Sequence, residues 1–215
     1  MLTACGGGSS STTATDPAAS AGSSSAAGST SCDFTADGQK PAKDATPPPP
    51  TTDLTGDVKA TIDTSVGAFD ATLDATQAPC TVASFLSLAE QGFYDDTPCH
   101  RLTTQGIYVL QCGDPTGTGT GGPGYTIPDE LSGKETYPAG TLAMANTGQP
   151  HSGGSQFFVV YKDTPLPPNY TVFGTISPQS VATVKKVAAR GVDNAYGAGD
   201  GHPNQKVTIT QVTTP

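Results

Sequence analysis

From Gly56 onward the hydrophobic positions of the chain fall into two periods. Val58-Lys59-Ala60-Thr61-Ile62-Asp63 and Ala68-Phe69-Asp70-Ala71-Thr72-Leu73 alternate around Ser65-Val66-Gly67, which predicts a β-hairpin. Val82, Phe85, Leu86 and Ala89 then recur at helical spacing. They predict a helix capped by Thr81, running through Glu90-Gln91 and ended by Gly92. Short apolar runs predict strands over 99–102, 108–111, 140–146, 157–161 and 170–174. A second helix is expected over 178–190, burying Val181, Val184, Val187 and Ala188, with a last strand over 207–212. Many short strands with two helices suggest a closed antiparallel barrel capped at its ends, although periodicity alone leaves sandwich or barrel open.

The pattern is absent before Gly56. Residues 6–31 are almost wholly Gly, Ser, Thr and Ala, too poor in apolar area to offset the entropy of ordering, and read as a flexible linker. Pro47 to Pro50 form a stiff, stalk-like segment. Cys32-Asp33-Phe34 is the one anchored-looking spot between them. The expected division is a disordered tether over 1–55 and one domain over 56–215. Leu2-Thr3-Ala4-Cys5-Gly6 resembles the lipobox of bacterial lipoproteins, in which the cysteine, here Cys5, carries lipid. The charged and apolar regions of a signal peptide do not precede it, so it reads as the remnant of a truncated signal. These features imply a protein outside the cytoplasm, held to the cell membrane by lipid alone.

Charge and cysteine usage narrow the class. The net charge is −9 with no basic stripe, which argues against nucleic acid as a partner. Lys185-Lys186 and Arg190, at helical spacing, read as a solvated face. No apolar stretch approaches the roughly 18 residues of a membrane span. Of the 5 cysteines, four remain if Cys5 is lipidated, the even count expected of an exported protein. Cys99 and Cys112 lie on consecutive predicted strands and could face each other, which would leave Cys32 for Cys80. Spacing does not fix the connectivity, and buried reduced thiols in a cytosolic protein are the competing reading. No Cys-x-x-Cys or His-x-x-x-His spacing points to a metal. Gly117 to Gly122 lacks the Lys-Ser/Thr ending of a phosphate loop, and Ser155 is not in a nucleophile elbow. His100 is expected as a buried, hydrogen-bonded ring that props its strand.

One ordered series of phrases remains. His100-Arg101 is followed by Gln111-Cys112-Gly113-Asp114, a glycine-rich run to Tyr125, and Gly140-Thr141-Leu142-Ala143-Met144-Ala145-Asn146. Gly154-Ser155-Gln156-Phe157-Phe158 and Tyr170-Thr171-Val172-Phe173-Gly174 complete it. Over roughly residues 56–214 this series resembles the cyclophilins, the peptidyl-prolyl cis-trans isomerases, in a bacterial, actinobacterial exported form. The resemblance implies an eight-stranded barrel with a helix at each end, proline-containing polypeptides as partners, no cofactor and a monomer. It implies Arg101 as the catalytic arginine with Gln111 beside it, Phe158 as the floor of a proline pocket and Tyr108 as its aromatic wall. Val109, Ala145, Asn146, Thr147, Gln156, Leu166 and Tyr170 would contact or shape the substrate, and Gly119 and Thr120 would line the pocket for residues before the proline.

The chain also departs from the family. The connection from Arg101 to Gln111 is two residues longer, so that Ile107 could displace Tyr108. Pro165 stands where many members carry Trp, and Tyr170 where they carry His. The missing indole N–H implies weak or no cyclosporin binding. A cyclophilin-like module that binds prolyl segments with little turnover is the alternative.

Overall fold

The computed structural model describes residues 28–214. Cys5 and the linker up to residue 27 lie outside the described residues. Three short strands precede the expected domain: β1 (Thr30–Ser31), β2 (Thr35–Ala36) and β3 (Thr51–Thr52). The hairpin follows as β4 (Asp57–Thr64) and β5 (Phe69–Asp74), then α1 (Pro79–Glu90). After it come β6 (Thr97–Pro98), β7 (Arg101–Thr103), β8 (Val109–Cys112), β9 (Tyr125–Thr126), β10 (Thr141–Met144), β11 (Phe157–Val160) and β12 (Val172–Ile176). The chain ends with α2 (Pro178–Ala188), β13 (Asp200–Gly201) and β14 (Thr208–Thr213). Ten strands form one curled antiparallel sheet in the order β13-β7-β8-β11-β10-β12-β5-β4-β14-β6. The mainly β class with two helices is thus found.

The boundary near Gly56 needs correction. β1 pairs with β3, and β2 pairs with β9 of the glycine-rich region. Cys32 is 2% exposed and disulfide-bonded to Cys80, and Cys99 is bonded to Cys112. Two-residue strands show no period of their own. What orders this arm is its own β1–β3 ladder together with two partners far away in sequence, Cys80 and β9.

The first helix begins earlier than expected. Pro79 occupies its first turn, where a missing N–H costs nothing, and Ala78 at the N-cap offers no side-chain acceptor. Thr81 is therefore inside the helix, not its cap. Its amide and that of Cys80 donate to the Glu130 carboxylate at 2.8 and 2.9 Å, so the cap is supplied from another segment. In α2 the Ser177 hydroxyl accepts from the Ser180 amide, and Val181, Val184 and Val187 are buried as expected.

Strands β10 and β11 are buried at every position. Side chains alternate across a strand, so both faces must be covered. Leu142, Met144, Phe157 and Val159 enter the main core with Phe85 and Phe173. Ala143, Phe158 and Val160 join Val109 and Tyr137 in a second, smaller cluster on the other face, with Ile107, Ala145, Leu166 and Tyr170 packed against it. That second face is where the candidate site lies.

Candidate active site

The register of three strands assembles the site. Arg101 on β7 pairs with Gln111 on β8, and Gln111 pairs with Phe158 on β11. Residues opposite one another on an antiparallel ladder project to the same face, so these three, 57 positions apart in sequence at most, become one row. Phe158 is 4% exposed, with Tyr170 edge-on to it at 5.4 Å and Tyr137 at 6.4 Å. Arg101, Ile107, Val109, Gln111, Ala145, Asn146, Phe158, Leu166 and Tyr170 together enclose a cavity of about 120 Å³. It is apolar below and carries a cation and two amides at its edge.

Arg101 is held by a partner that sequence reasoning did not identify. Its Nε donates to Asp200 Oδ1 at 2.8 Å and its Nη2 to Oδ2 at 2.6 Å, a bidentate pair. These bonds raise the guanidinium's already high pKa, with burial working the other way. Nη1 is left on the Gln111 side, 3.5 Å from Oε1. Gln111 stands beside the guanidinium as the resemblance implies, but Asp200 on β13 is the stronger support. The only local signal was an acid within Gly199-Asp200-Gly201, a pattern that also suits an ordinary turn.

Hydrogen bonds continue away from Arg101. Gln111 Nε2 donates to Gln156 Oε1 at 2.9 Å, and Gln156 Nε2 donates to the carbonyls of Gly119 (3.0 Å) and Gly121 (2.9 Å). The amides of those glycines donate to Asp114 Oδ2 at 2.7 and 3.1 Å. Thus Gln156 uses its amide to tie the glycine-rich loop to Gln111. Asp114 is fully buried, and a Cβ at Gly121 would lie 2.0 Å from its Oδ1, so only glycine fits there. Asn146 is likewise engaged, its Nδ2 donating to the Asn169 carbonyl at 2.8 Å and its Oδ1 accepting from the Gly148 amide.

A larger cleft of about 380 Å³ adjoins the cavity through Gln111, Ala145 and Asn146. Gly119, Thr120, Thr147 and Gln156 line it, together with Asp37 of the arm, which was not expected.

Two expectations fail. Tyr108 does not line the cavity: its ring packs edge-on to Tyr161 at 6.0 Å, with Lys162 Nζ 4.1 Å from its centre. Ile107 takes its place. Positions 107, 109 and 111 share one face of this segment, and 108, 110 and 112 turn to the other. His100 is buried at 4% exposure, but neither ring nitrogen has a hydrogen-bond partner among the described residues. With no partner on either nitrogen it is not the expected hydrogen-bonded prop, and burial pushes its pKa down, the Asp114 charge opposing.

The family model described as "Cyclophilin type peptidyl-prolyl cis-trans isomerase/CLD" matches residues 59–214. The chain is 49% identical over 168 residues to a protein of Mycobacterium tuberculosis named "Probable peptidyl-prolyl cis-trans isomerase B", covering 72% of this chain and 54% of that one. A Mycobacterium leprae protein of the same name is 46% identical over 196 residues, covering 83% and 65%. The chain therefore spans about half to two thirds of the length of these relatives. A crystal structure of a cyclophilin type peptidyl-prolyl cis-trans isomerase of Cryptosporidium parvum matches with a TM-score of 0.66 at 29% identity, covering 74% of this chain and 98% of that one. A second structure of that protein was determined in the presence of the dipeptide Ala-Pro.

Proposed function

Since the chain belongs to the cyclophilin-type peptidyl-prolyl cis-trans isomerase family, we propose that it isomerises X-Pro bonds in polypeptides, with no covalent intermediate and no cofactor. The observation that carries this reading is Arg101 fixed by Asp200 at the edge of the cavity floored by Phe158. Rotation about an X-Pro bond crosses a barrier of about 18–20 kcal/mol set by amide resonance. An enzyme lowers it by holding the twisted amide better than either planar form. When resonance is broken the prolyl nitrogen becomes pyramidal and can accept a hydrogen bond. A guanidinium that never deprotonates, with one Nη free of Asp200, is suited to donate it. Phe158, Leu166 and Tyr170 offer the prolyl ring an apolar seat, and the adjoining cleft takes the residues before it.

The test is refolding of a protein whose slow phase is proline isomerisation, a step of tens of seconds. Catalytic amounts of the full chain should accelerate that phase. Binding of a prolyl peptide without acceleration would favour the binding-module reading instead.

Cyclosporin should bind weakly or not at all, because Pro165 brings no indole N–H to the edge of the site. A submicromolar inhibition constant would overturn this.

We also infer closure of the sheet into an eight-stranded barrel. In support, only Cys99 and His100 separate β6 from β7, and β6 pairs with β14 while β7 pairs with β8. Counted as one bent strand, β6 and β7 join the two sides of the sheet.

The same reading places the protein outside the cytoplasm as a monomer, lipid-anchored at Cys5 and assisting exported proteins. Two disulfides favour an oxidising compartment.

A further inference from the structure

The arm at 30–52 lies outside the span matched by the family model, yet it is fastened to the cleft beside the proline cavity. The Cys32–Cys80 disulfide anchors it to α1. Thr35 and Ala36 pair with Thr126 and Tyr125, and Phe34 packs edge-on to Tyr125 at 5.8 Å. The Asp37 amide donates to the Gly124 carbonyl at 3.2 Å and the Ala42 amide to the Gly122 carbonyl at 2.9 Å. Opposite Gly124, Pro41 approaches so closely that a Cβ there would lie 3.2 Å from its ring. The glycine-rich side of the cleft is thus supported by the arm from behind.

Asp37 reaches the cleft itself and is the one charged side chain among the described residues that line it. Its Oδ1 accepts from the Gln39 amide at 2.8 Å, which fixes the carboxylate in a local turn. The other lining groups are glycines, hydroxyls, amides and aromatic or alkyl carbon, none able to neutralise a charge on a substrate. Asp114, the nearby buried acid, has both oxygens occupied by the loop.

We propose that the arm forms a wall of the substrate groove and that Asp37 selects a lysine or arginine among the one to three residues preceding proline. This specificity rests on the isomerase reading of the same groove. A chain seated with its proline over Phe158 continues through Gln111, Ala145 and Asn146 into the cleft, at about 3.3–3.6 Å per extended residue. A cationic side chain there meets Asp37, whereas an acidic one meets a like charge.

The test uses the full chain and prolyl peptides carrying Lys or Glu at each of the three positions before proline. The quantities measured are kcat/KM for isomerisation and Kd by chemical-shift titration. The overall charge of −9 favours cationic peptides everywhere, so the informative number is the change in the Lys:Glu ratio on Asp37→Asn. Asparagine can keep the turn to Gln39, so the arm stays in place. At one position or more the ratio should fall about two- to five-fold, the range of an exposed ion pair. Asp33→Asn, the same charge change on the same arm outside the cleft, should alter it much less. Equal ratios for the wild type and Asp37→Asn at all three positions overturn the proposal. So does an equal fall in Asp33→Asn. If peptides bind with the expected ratios but none is isomerised, the isomerase reading fails while the role of Asp37 stands. If no peptide binds at all, both fail.

Discussion

Replacement of Arg101 by alanine is expected to lower kcat/KM for prolyl isomerisation by about 10²–10³-fold, the usual cost of losing one preorganised donor at a developing charge. The floor would remain, because Phe158, Tyr170 and Tyr137 pack on one another as a ring cluster. The loss should therefore fall on kcat far more than on KM. Arg101→Lys should recover little, since an ammonium cannot bond Asp200 with two nitrogens and still present a third to the substrate. Asp200→Ala should act through the same group. Alone it would free the guanidinium and cost about ten-fold; in the Arg101→Ala background it should cost nothing further. Proline-limited refolding with the four proteins of this cycle and Arg101→Lys measures the losses in kcat/KM, and isomerisation of a prolyl peptide at saturating concentration separates kcat from KM. Additive losses would show that Asp200 works independently of Arg101. A fully active Arg101→Ala protein would remove the mechanism proposed above.

Where local pattern decides structure, the sequence was readable. The β4–β5 hairpin and α2 follow from periods of two and 3.6 with their own turn and cap residues, and the register Arg101–Gln111–Phe158 realises the row that the ordered phrases imply. Where a distant group decides, it was not. Thr81 looks like an N-cap until Glu130, 49 residues on, arrives to do that work. Asp200 is 99 residues from Arg101 and has no motif beyond its flanking glycines. The arm is ordered by a disulfide and by two-residue ladders, which no hydrophobic period announces.

Tyr108 is a different case, because the information was present. Alternation along a strand requires 107, 109 and 111 to share a face if Gln111 is in the site, which excludes 108. Counting back from Gln111 along the family's loop puts Tyr108 and Val109 side by side, which an extended strand does not allow, whereas the alternative, Ile107, shares the face of Val109 and Gln111. An isoleucine therefore closes the cavity where a phenol was expected, and this edge of the site is more apolar than the resemblance implied.

Asp114 should be the acid whose loss most damages stability and, through it, the groove. Its Oδ1 accepts from the Thr116 amide and hydroxyl, both at 2.7 Å, and its Oδ2 from Gly119 and Gly121. Burial alone would raise its pKa, but the Thr116 hydroxyl and the three amides together outweigh burial and hold it below the usual carboxylate range. Asp114→Asn turns an NH₂ toward two of those donors whichever way the amide is oriented. The expected cost at pH 7 is about 3 kcal/mol, or roughly 6–12 °C in Tm for a chain of this size. A depressed native pKa gives stability that is complete above the unfolded value of about 3.9 and is lost as pH falls through the lower native one. The wild type should therefore lose stability below about pH 4, and Asp114→Asn, less stable at the outset, should lose less over the same interval. Urea titrations at pH 7 and pH 3 measure both quantities. Because Gly119 and Gly121 also hold Gln156, and Gln156 holds Gln111, the variant should bind prolyl peptides more weakly even where it remains folded. Unchanged midpoints at pH 7 would mean that the glycine-rich loop keeps its shape without the carboxylate.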